Sequence, residues 1–324
     1  MAAHLPVQHY FEHASQLVFG CMGLGGDWTS SNYESTHVKH AEIAVNAALE
    51  SGITVFDHAD IYTRSKAESV FGEVLKHTPS LRDNMVIQSK CGIRFEDEHG
   101  PGRYDFSYDW IVNSTEGSLS RLGIECLDIL ILHRPDPLME IDEVVKAFDR
   151  LIADGKVKHF GVSNMHAHQV NYIQSAIGQP IIAHQLEMSL LHTHWLDESV
   201  TAGMPSGANT HFSPGVIEQS QTHGIQLQAW GSLAQGKLSG RNLDGESENV
   251  VKTAQKVKAY AQQFGVSEEA IVLSWLCRHP SRIQPVIGTT NPSRIRACSE
   301  FEKVKLSREQ WYDLYVTARG ERLP

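Results

Sequence analysis

Four residues of different chemistry stand at or just beyond the ends of apolar runs. Asp57 closes GITVFD, Tyr62 follows five places later in DHADIY, Lys90 closes MVIQSK and His133 closes LDILILH. A free phenol titrates near pH 10 and is a weak acid–base catalyst at neutral pH. A neighbouring ammonium favours the phenolate, and a carboxylate keeps that ammonium charged and in place. Gathered in one water-poor pocket, the set suits positioned proton transfer. Read singly, Asp57 is a helix cap, Lys90 a solvated charge and Tyr62 a surface tyrosine. What would unite them is a fold that brings successive strand ends to one rim.

Eight runs have the character of strands: LVFGCM (17–22), GITVFD (52–57), MVIQSK (85–90), LDILILH (127–133), VKHFGVS (157–163), IIAHQL (181–186), IQLQAW (225–230) and IQPVIG (283–288). They are short and rich in Val, Ile and Leu, as strands buried on both faces of a parallel sheet are. Amphipathic stretches lie between them. HVKHAEIAVNAALESG sets Val38, Ile43, Ala44, Ala47 and Ala48 on one stripe, with Gly52 to stop it. EVVKAFDRLIADGK and SEEAIVLSWLCRHP also read as helices, the second with acid at its start and Pro280 past its end. Eight β–α alternations predict a (β/α)8 TIM barrel, one domain over residues 1–324, with a further helix in 300–324. A doubly wound dinucleotide fold would need GxGxxG after the first strand, and Gly20, Gly23 and Gly25 have other intervals. The polar connections 24–33, 91–107 and 192–214 would overhang the mouth and choose the substrate, with Trp28, Phe95, Tyr104 and Trp195 among their aromatics.

Composition narrows the function classes. The 324 residues are 41% hydrophobic and carry a net charge of −10 at pH 7 with histidine neutral, so a nucleic-acid partner is not expected. No apolar run reaches 18 residues and the N-terminus lacks a basic segment followed by an apolar one, so neither membrane span nor secretory leader is expected. Five scattered cysteines without a CxxC read as reduced thiols in a cytoplasmic protein. Eighteen histidines, with His166-Ala-His168 and His192-Thr-His194, raise a zinc hydrolase as an alternative. Beyond Asp57, acids are not placed on the neighbouring strand ends to complete such a site, and surface histidines are the preferred reading. No metal is assigned.

The motifs together resemble the aldo-keto reductases over about residues 17–320. Asp57-His58-Ala59-Asp60-Ile61-Tyr62 is similar to that family's Asp-Thr-Ala-x-x-Tyr, with His58 in the threonine place, and QSKCG, LDILILHRPDP, GKVKHFGVSN and AWGSLAQGKLSG follow in order. HADIY, HRPDP and VIGTTNPSRIRA look most like the bacterial predicted-oxidoreductase branch, with the potassium-channel β-subunit-like branch next. The resemblance implies hydride transfer between NADPH and an aldehyde or ketone. Tyr62 would be the general acid, Lys90 would lower its pKa, Asp57 would pair with Lys90, and His133 would orient the carbonyl. Trp230 would stack on the nicotinamide, and Ser163, Asn164 and Gln185 would bond its carboxamide. Cys21 and Met22 would meet the ribose and Asp57 would border the same cofactor site. Gly231, Ser232, Leu233 and Gly236 would wrap the pyrophosphate, and Gly288, Thr289, Thr290 and Arg294 would hold the adenosine 2′-phosphate.

The chain departs from the resemblance where many such reductases carry a lysine, here Gly288, and Glu-Asn, here Ala297-Cys298. NADPH stays the expected cofactor, with NADH as an alternative and a small carbonyl compound as the substrate. A nicotinamide-binding regulatory protein with little turnover is the rival reading. The oligomeric state is not legible.

Overall fold

The computed structural model describes residues 4–324. Ten strands appear in chain order: β1 Val18–Gly20, β2 Val55–Asp57, β3 Val86–Cys91, β4 Ile93–Arg94, β5 Arg103–Tyr104, β6 Leu127–Leu132, β7 Val157–Ser163, β8 Ile181–Glu187, β9 Gln226–Trp230 and β10 Gln284–Ile287. Eight of them close a barrel in the order β1, β2, β3, β6, β7, β8, β9, β10, with every neighbouring pair parallel. All eight expected runs are therefore barrel strands. The register sets Gly20 beside Asp57 and Asp57 beside Gln88, while Lys90 lies two residues further along β3 on the same face.

Helices cover the outside wherever the spacing called for them. Ser35–Glu50 buries Val38, Ala41, Ala44, Val45, Ala47 and Ala48. Ile43 is not on that stripe: it is 53% exposed, because five residues from Val38 it has turned through most of a circle and a half. Ile141–Ala153 buries Val144, Ala147, Phe148 and Leu151, and Glu268–Cys277 starts at Ser267, whose hydroxyl accepts from the Ala270 amide at 3.2 Å. The C-terminal helix runs Arg308–Arg319. Among the described residues no helix is long and apolar enough to cross a membrane.

The barrel is filled in layers. Its lower end holds Val18, Val55, Val86, Ile129, Ile131, Ile182, Ala183 and Val286, stoppered by Leu5, Val7, Phe11 and Ala14 from the N-terminal segment. That plug was not foreseen, and residues 1–3 lie outside the described chain. The connection after β3 folds into the small antiparallel hairpin of β4 and β5. The connection after β8 contains a helix, His194–Val200, and its Trp195 is buried edge-on against Trp275 with ring centroids 5.6 Å apart. Trp195 is thus a core residue and leaves the set of mouth aromatics.

Candidate active site

Asp57, Lys90 and Tyr62 meet at the upper rim. The Lys90 ammonium donates to Asp57 Oδ2, to the His58 carbonyl and to Tyr62 Oη, each at 2.8 Å. All three of its protons have acceptors, so a fully buried cation is fully paired. Burial works to discharge this ammonium, but Asp57 and Tyr62 outweigh it and its pKa ends above the ordinary lysine value. For Tyr62 the balance differs. Burial pushes the phenol pKa up, Lys90 pulls against it, and the net shift is upward. The expected lowering by Lys90 is present as one contribution and is outweighed. The phenol therefore keeps its proton at neutral pH, as a general acid must.

His133 follows β6 and turns its ring edge-on to Tyr62, with centroids 6.0 Å apart. Burial, helped by Lys90 and Arg134, drives its pKa well below the ordinary range, so the imidazole is neutral. Its Nδ1 is buried without a partner. The main-chain carbonyl of His133 accepts from Asn164 Nδ2 at 3.2 Å, and Asn164 Oδ1 accepts from the Trp230 indole at 3.0 Å. Asn164 adopts φ +58°, a left-handed conformation that asparagine tolerates better than most residues.

Gln185 turns inward. Its Nε2 donates to Asp57 Oδ1 at 3.0 Å and to Gln228 Oε1 at 3.2 Å, while Ser163 Oγ donates to the Gln185 carbonyl at 3.0 Å. Gln88 Nε2 also donates to Asp57 Oδ1, at 2.5 Å, and Gln88 and Gln228 exchange amide bonds at 2.8 and 3.0 Å. Gln284 accepts from Gln228 at 3.2 Å. A layer of four buried glutamines thus separates the apolar lower barrel from the charged rim and fixes the Asp57 carboxylate. Gln88, Gln228 and Gln284 were missed as site residues. The signal was there: each is a glutamine inside a mainly apolar strand run.

Beyond Tyr62 the chain makes a left-handed turn, with φ of 47°, 57° and 68° at Thr63, Arg64 and Ser65. Its side chains hold the loop after β1. Thr63 Oγ1 donates to the Leu24 carbonyl at 2.9 Å, Arg64 Nε to that of Trp28 at 2.8 Å, and Lys66 Nζ to that of Asp27 at 2.9 Å. Arg64 also lies over the Phe95 ring, 5.3 Å from its centroid. Trp28, Phe95 and Tyr104 are exposed here, as expected of mouth aromatics. Below the turn sits a buried acid pair: Glu68 accepts from Ser89 Oγ at 2.6 Å and from Arg121 Nε at 2.8 Å. Asp60, buried with Oδ1 unpartnered, has its pKa pushed up to about 8 by burial and by Glu68. His58, in the threonine place, is buried against Phe71 and held neutral, its pKa lowered to about 3 by burial and then by Lys90.

The residues that could hold a dinucleotide are contiguous on the other half of the rim. Trp230 ends β9, and the loop behind it is left-handed at Gly231, Ala234, Gln235 and Gly236. Ser232 Oγ ties that loop to the Val286 carbonyl at 2.7 Å. Leu233 packs against both large apolar clusters. A Cβ on Gly236 would lie 3.2 Å from Arg294 Nη2, a tight contact, and the φ of +78° there favours glycine in its own right. A Cβ on Gly23 would meet the Thr290 methyl at 3.0 Å, which brings the turn Cys21–Gly23 against Gly288, Thr289 and Thr290. Cys21 is buried and Met22 exposed. Asn291 caps the helix Pro292–Ser299, accepting from the amides of Ser293 and Arg294. A flat indole, a backbone cradle and a capped helix start with hydroxyls and a guanidinium together fit a nicotinamide dinucleotide.

The family model described as aldo/keto reductase matches residues 16–315. The chain belongs to the aldo/keto reductase family. It is 34% identical to a 6-dehydroglucose reductase of Agrobacterium fabrum over 95% of this chain and 96% of that one. It is 36% identical to the oxidoreductase YdhF of Escherichia coli over 85% of this chain and 86% of that one. Similarity extends at 26% identity to a putative voltage-gated potassium channel subunit beta of Schizosaccharomyces pombe, over 87% and 84%. The fold matches an aldo/keto reductase from Klebsiella pneumoniae solved with NADP and acetate, at TM-score 0.70 and 20% identity over 93% and 90% of the two chains. It also matches a holo-form aldo-keto reductase from Bacillus halodurans, at TM-score 0.71 and 21% identity over 94% and 92%. The chain is an oxidoreductase of the (β/α)8 class.

Proposed function

We propose that this aldo/keto reductase reduces an aldehyde or ketone with NADPH, and that Tyr62 is its proton donor. The observation that carries the reading is the chain Asp57–Lys90–Tyr62, linked by two contacts of 2.8 Å at the rim of a parallel barrel. When bound, NADPH supplies the hydride that adds to the carbonyl carbon. Tyr62 Oη donates its proton to the carbonyl oxygen as negative charge grows there. Lys90, held by Asp57, lowers the cost of leaving that charge on the phenol oxygen. His133, neutral, hydrogen-bonds the same carbonyl oxygen and fixes its direction. Asp57 keeps Lys90 charged, and Gln88 and Gln185 keep Asp57 in place.

Trp230, steadied by Asn164, gives the nicotinamide a flat wall, and Ser163, Asn164 and Gln185 lie at the end where its carboxamide would sit. Cys21 and Met22 flank the ribose. Gly231, Ser232, Leu233 and Gly236 cradle the pyrophosphate, and Gly288, Thr289, Thr290 and Arg294 the 2′-phosphate. The rim aromatics and the Agrobacterium relative's name support a polyhydroxylated aldehyde as substrate. The test is nucleotide titration of the intrinsic fluorescence, followed by nucleotide oxidation on a panel of sugar aldehydes, simple aldehydes and ketones. Turnover that disappears in Tyr62→Phe supports the reading. Tight binding with no turnover on any carbonyl would instead favour a regulatory protein, the reading that the channel-subunit relatives suggest.

A further inference from the structure

The cations around the 2′-phosphate end of the cleft already have partners. Arg294 Nε donates to Glu269 Oε1 at 3.0 Å and Nη2 to Ser239 Oγ at 2.9 Å, so one side of the guanidinium fork is taken. Lys237 Nζ lies 2.7 Å from Glu246 Oε1. Arg241 Nη1 donates to Gln235 at 3.3 Å. Gly288 contributes no side chain, and a Cβ built there meets nothing within 4 Å. The Arg294 side chain is 40% exposed, whereas that of Glu269 is 11% exposed, so the acid lies behind the guanidinium and is poorly reached by water. Viewed from the cleft, this is a dipole rather than a lone cation, and its pull on an approaching dianion falls off faster.

We propose that Glu269 is a specificity-determining residue, holding the preference for NADPH over NADH low by neutralising Arg294. This rests on the reading that Arg294 faces the adenosine 2′-phosphate. NADH, with a hydroxyl at that position, is indifferent to the Glu269 charge, while NADPH carries two negative charges toward it. Glu269→Gln keeps the shape and removes the repulsion. At an effective dielectric near 80, as for a solvent-facing rim, and separations of about 6–8 Å, the ratio of NADPH to NADH affinity should rise roughly 5- to 10-fold.

The experiment is a fluorescence titration of wild type, Glu269→Gln, Glu269→Ala, Arg294→Ala and Glu269→Gln/Arg294→Ala with NADPH, NADH and adenosine 2′,5′-bisphosphate. The expected result is a modest wild-type preference, raised in both Glu269 single variants through tighter NADPH and bisphosphate binding with NADH unchanged. In the double variant the gain should vanish. Glu269→Ala asks the helix for no new hydrogen bond and serves if the glutamine variant does not fold. A ratio that stays the same or falls in the Glu269 single variants overturns the inference, since Glu269 would then orient Arg294 rather than oppose its ligand. If Arg294→Ala alone weakens NADPH and NADH equally, the 2′-phosphate reading itself fails.

Discussion

The Trp230 indole donates to Asn164 Oδ1, and the amide of the same Asn164 donates to the His133 carbonyl. One side chain therefore couples the aromatic wall at the end of β9 to the histidine at the end of β6. Asn164→Ala removes both bonds and puts alanine at φ +58°, a conformation that costs about 1–2 kcal/mol for such a residue. The expected outcome is a lower melting temperature and about tenfold weaker nicotinamide nucleotide binding, the latter from loss of the proposed bond to the carboxamide. Asn164→Gly should recover the backbone part of the stability loss and none of the affinity, which separates backbone from side chain in one comparison.

Tyr62→Phe removes the proton and leaves the ring. Turnover should fall by about 10²–10⁴-fold, the usual worth of positioned proton transfer. Nucleotide affinity should stay within a factor of about two, because the phenol hydroxyl meets Lys90 and, in the proposed mechanism, the substrate rather than the dinucleotide. Steady-state kinetics beside a binding titration decides it. An unchanged kcat would remove Tyr62 from the mechanism.

The pH profile carries the signs of two shifts. As the proposed acid, Tyr62 would donate only below its own pKa, and burial has raised that pKa above the ordinary tyrosine value, so the reduction rate should be level through neutrality and fall only on the strongly alkaline side. His133, shifted well below 6.5, should add no inflection between pH 6 and 8. Lys90→Met removes the group pulling the phenol down. The alkaline limb should then move to still higher pH as kcat drops, because a weaker acid donates less readily.

Asp60 should show itself in stability. Its folded pKa of about 8 lies above the ordinary 3.8, so the folded chain holds a proton that the unfolded chain has released. The associated destabilisation is absent below about pH 4, grows as pH rises and levels off above about 8. Asp60→Asn has no such proton to lose. The stabilities of the two proteins should be similar near pH 4 and diverge toward pH 9 in favour of the variant, by an amount on the order of a few kcal/mol, read from denaturant unfolding at each pH. Parallel curves across that range would sink the assignment.

What the sequence disclosed and what it hid follow from the range of the interactions. Asp57, Lys90 and His133 end apolar runs, and a strand end is a local feature, so both barrel and rim were legible. The partners of Asp57 were not. Gln88 and Gln228 meet across the barrel 140 residues apart in the chain, and nothing in either run says which glutamine faces which. Trp195 sits in a polar connection and looks like a mouth residue until the helix His194–Val200 turns it onto Trp275. Ile43 misled because its neighbours are small: a stripe of alanines has no sharp edge. The sign of the Tyr62 shift depended on burial outweighing one charge, and burial is a property of the assembled rim.

The clasp between the Tyr62 turn and the loop after β1 has its donors on side chains and its acceptors on main-chain carbonyls. Carbonyls are common to every amino acid. Asp27 and Trp28 could thus be rewritten by mutation while the clasp kept its grip. Leu24, by contrast, is a core residue, and Gly25 and Gly26 have positive φ, where a Cβ would lie 2.8 Å from that of Lys66 and 2.6 Å from His37 Nε2 respectively. Tyr62 would stay where it is throughout. The architecture would let a lineage alter the lip of the mouth while leaving the proposed acid untouched.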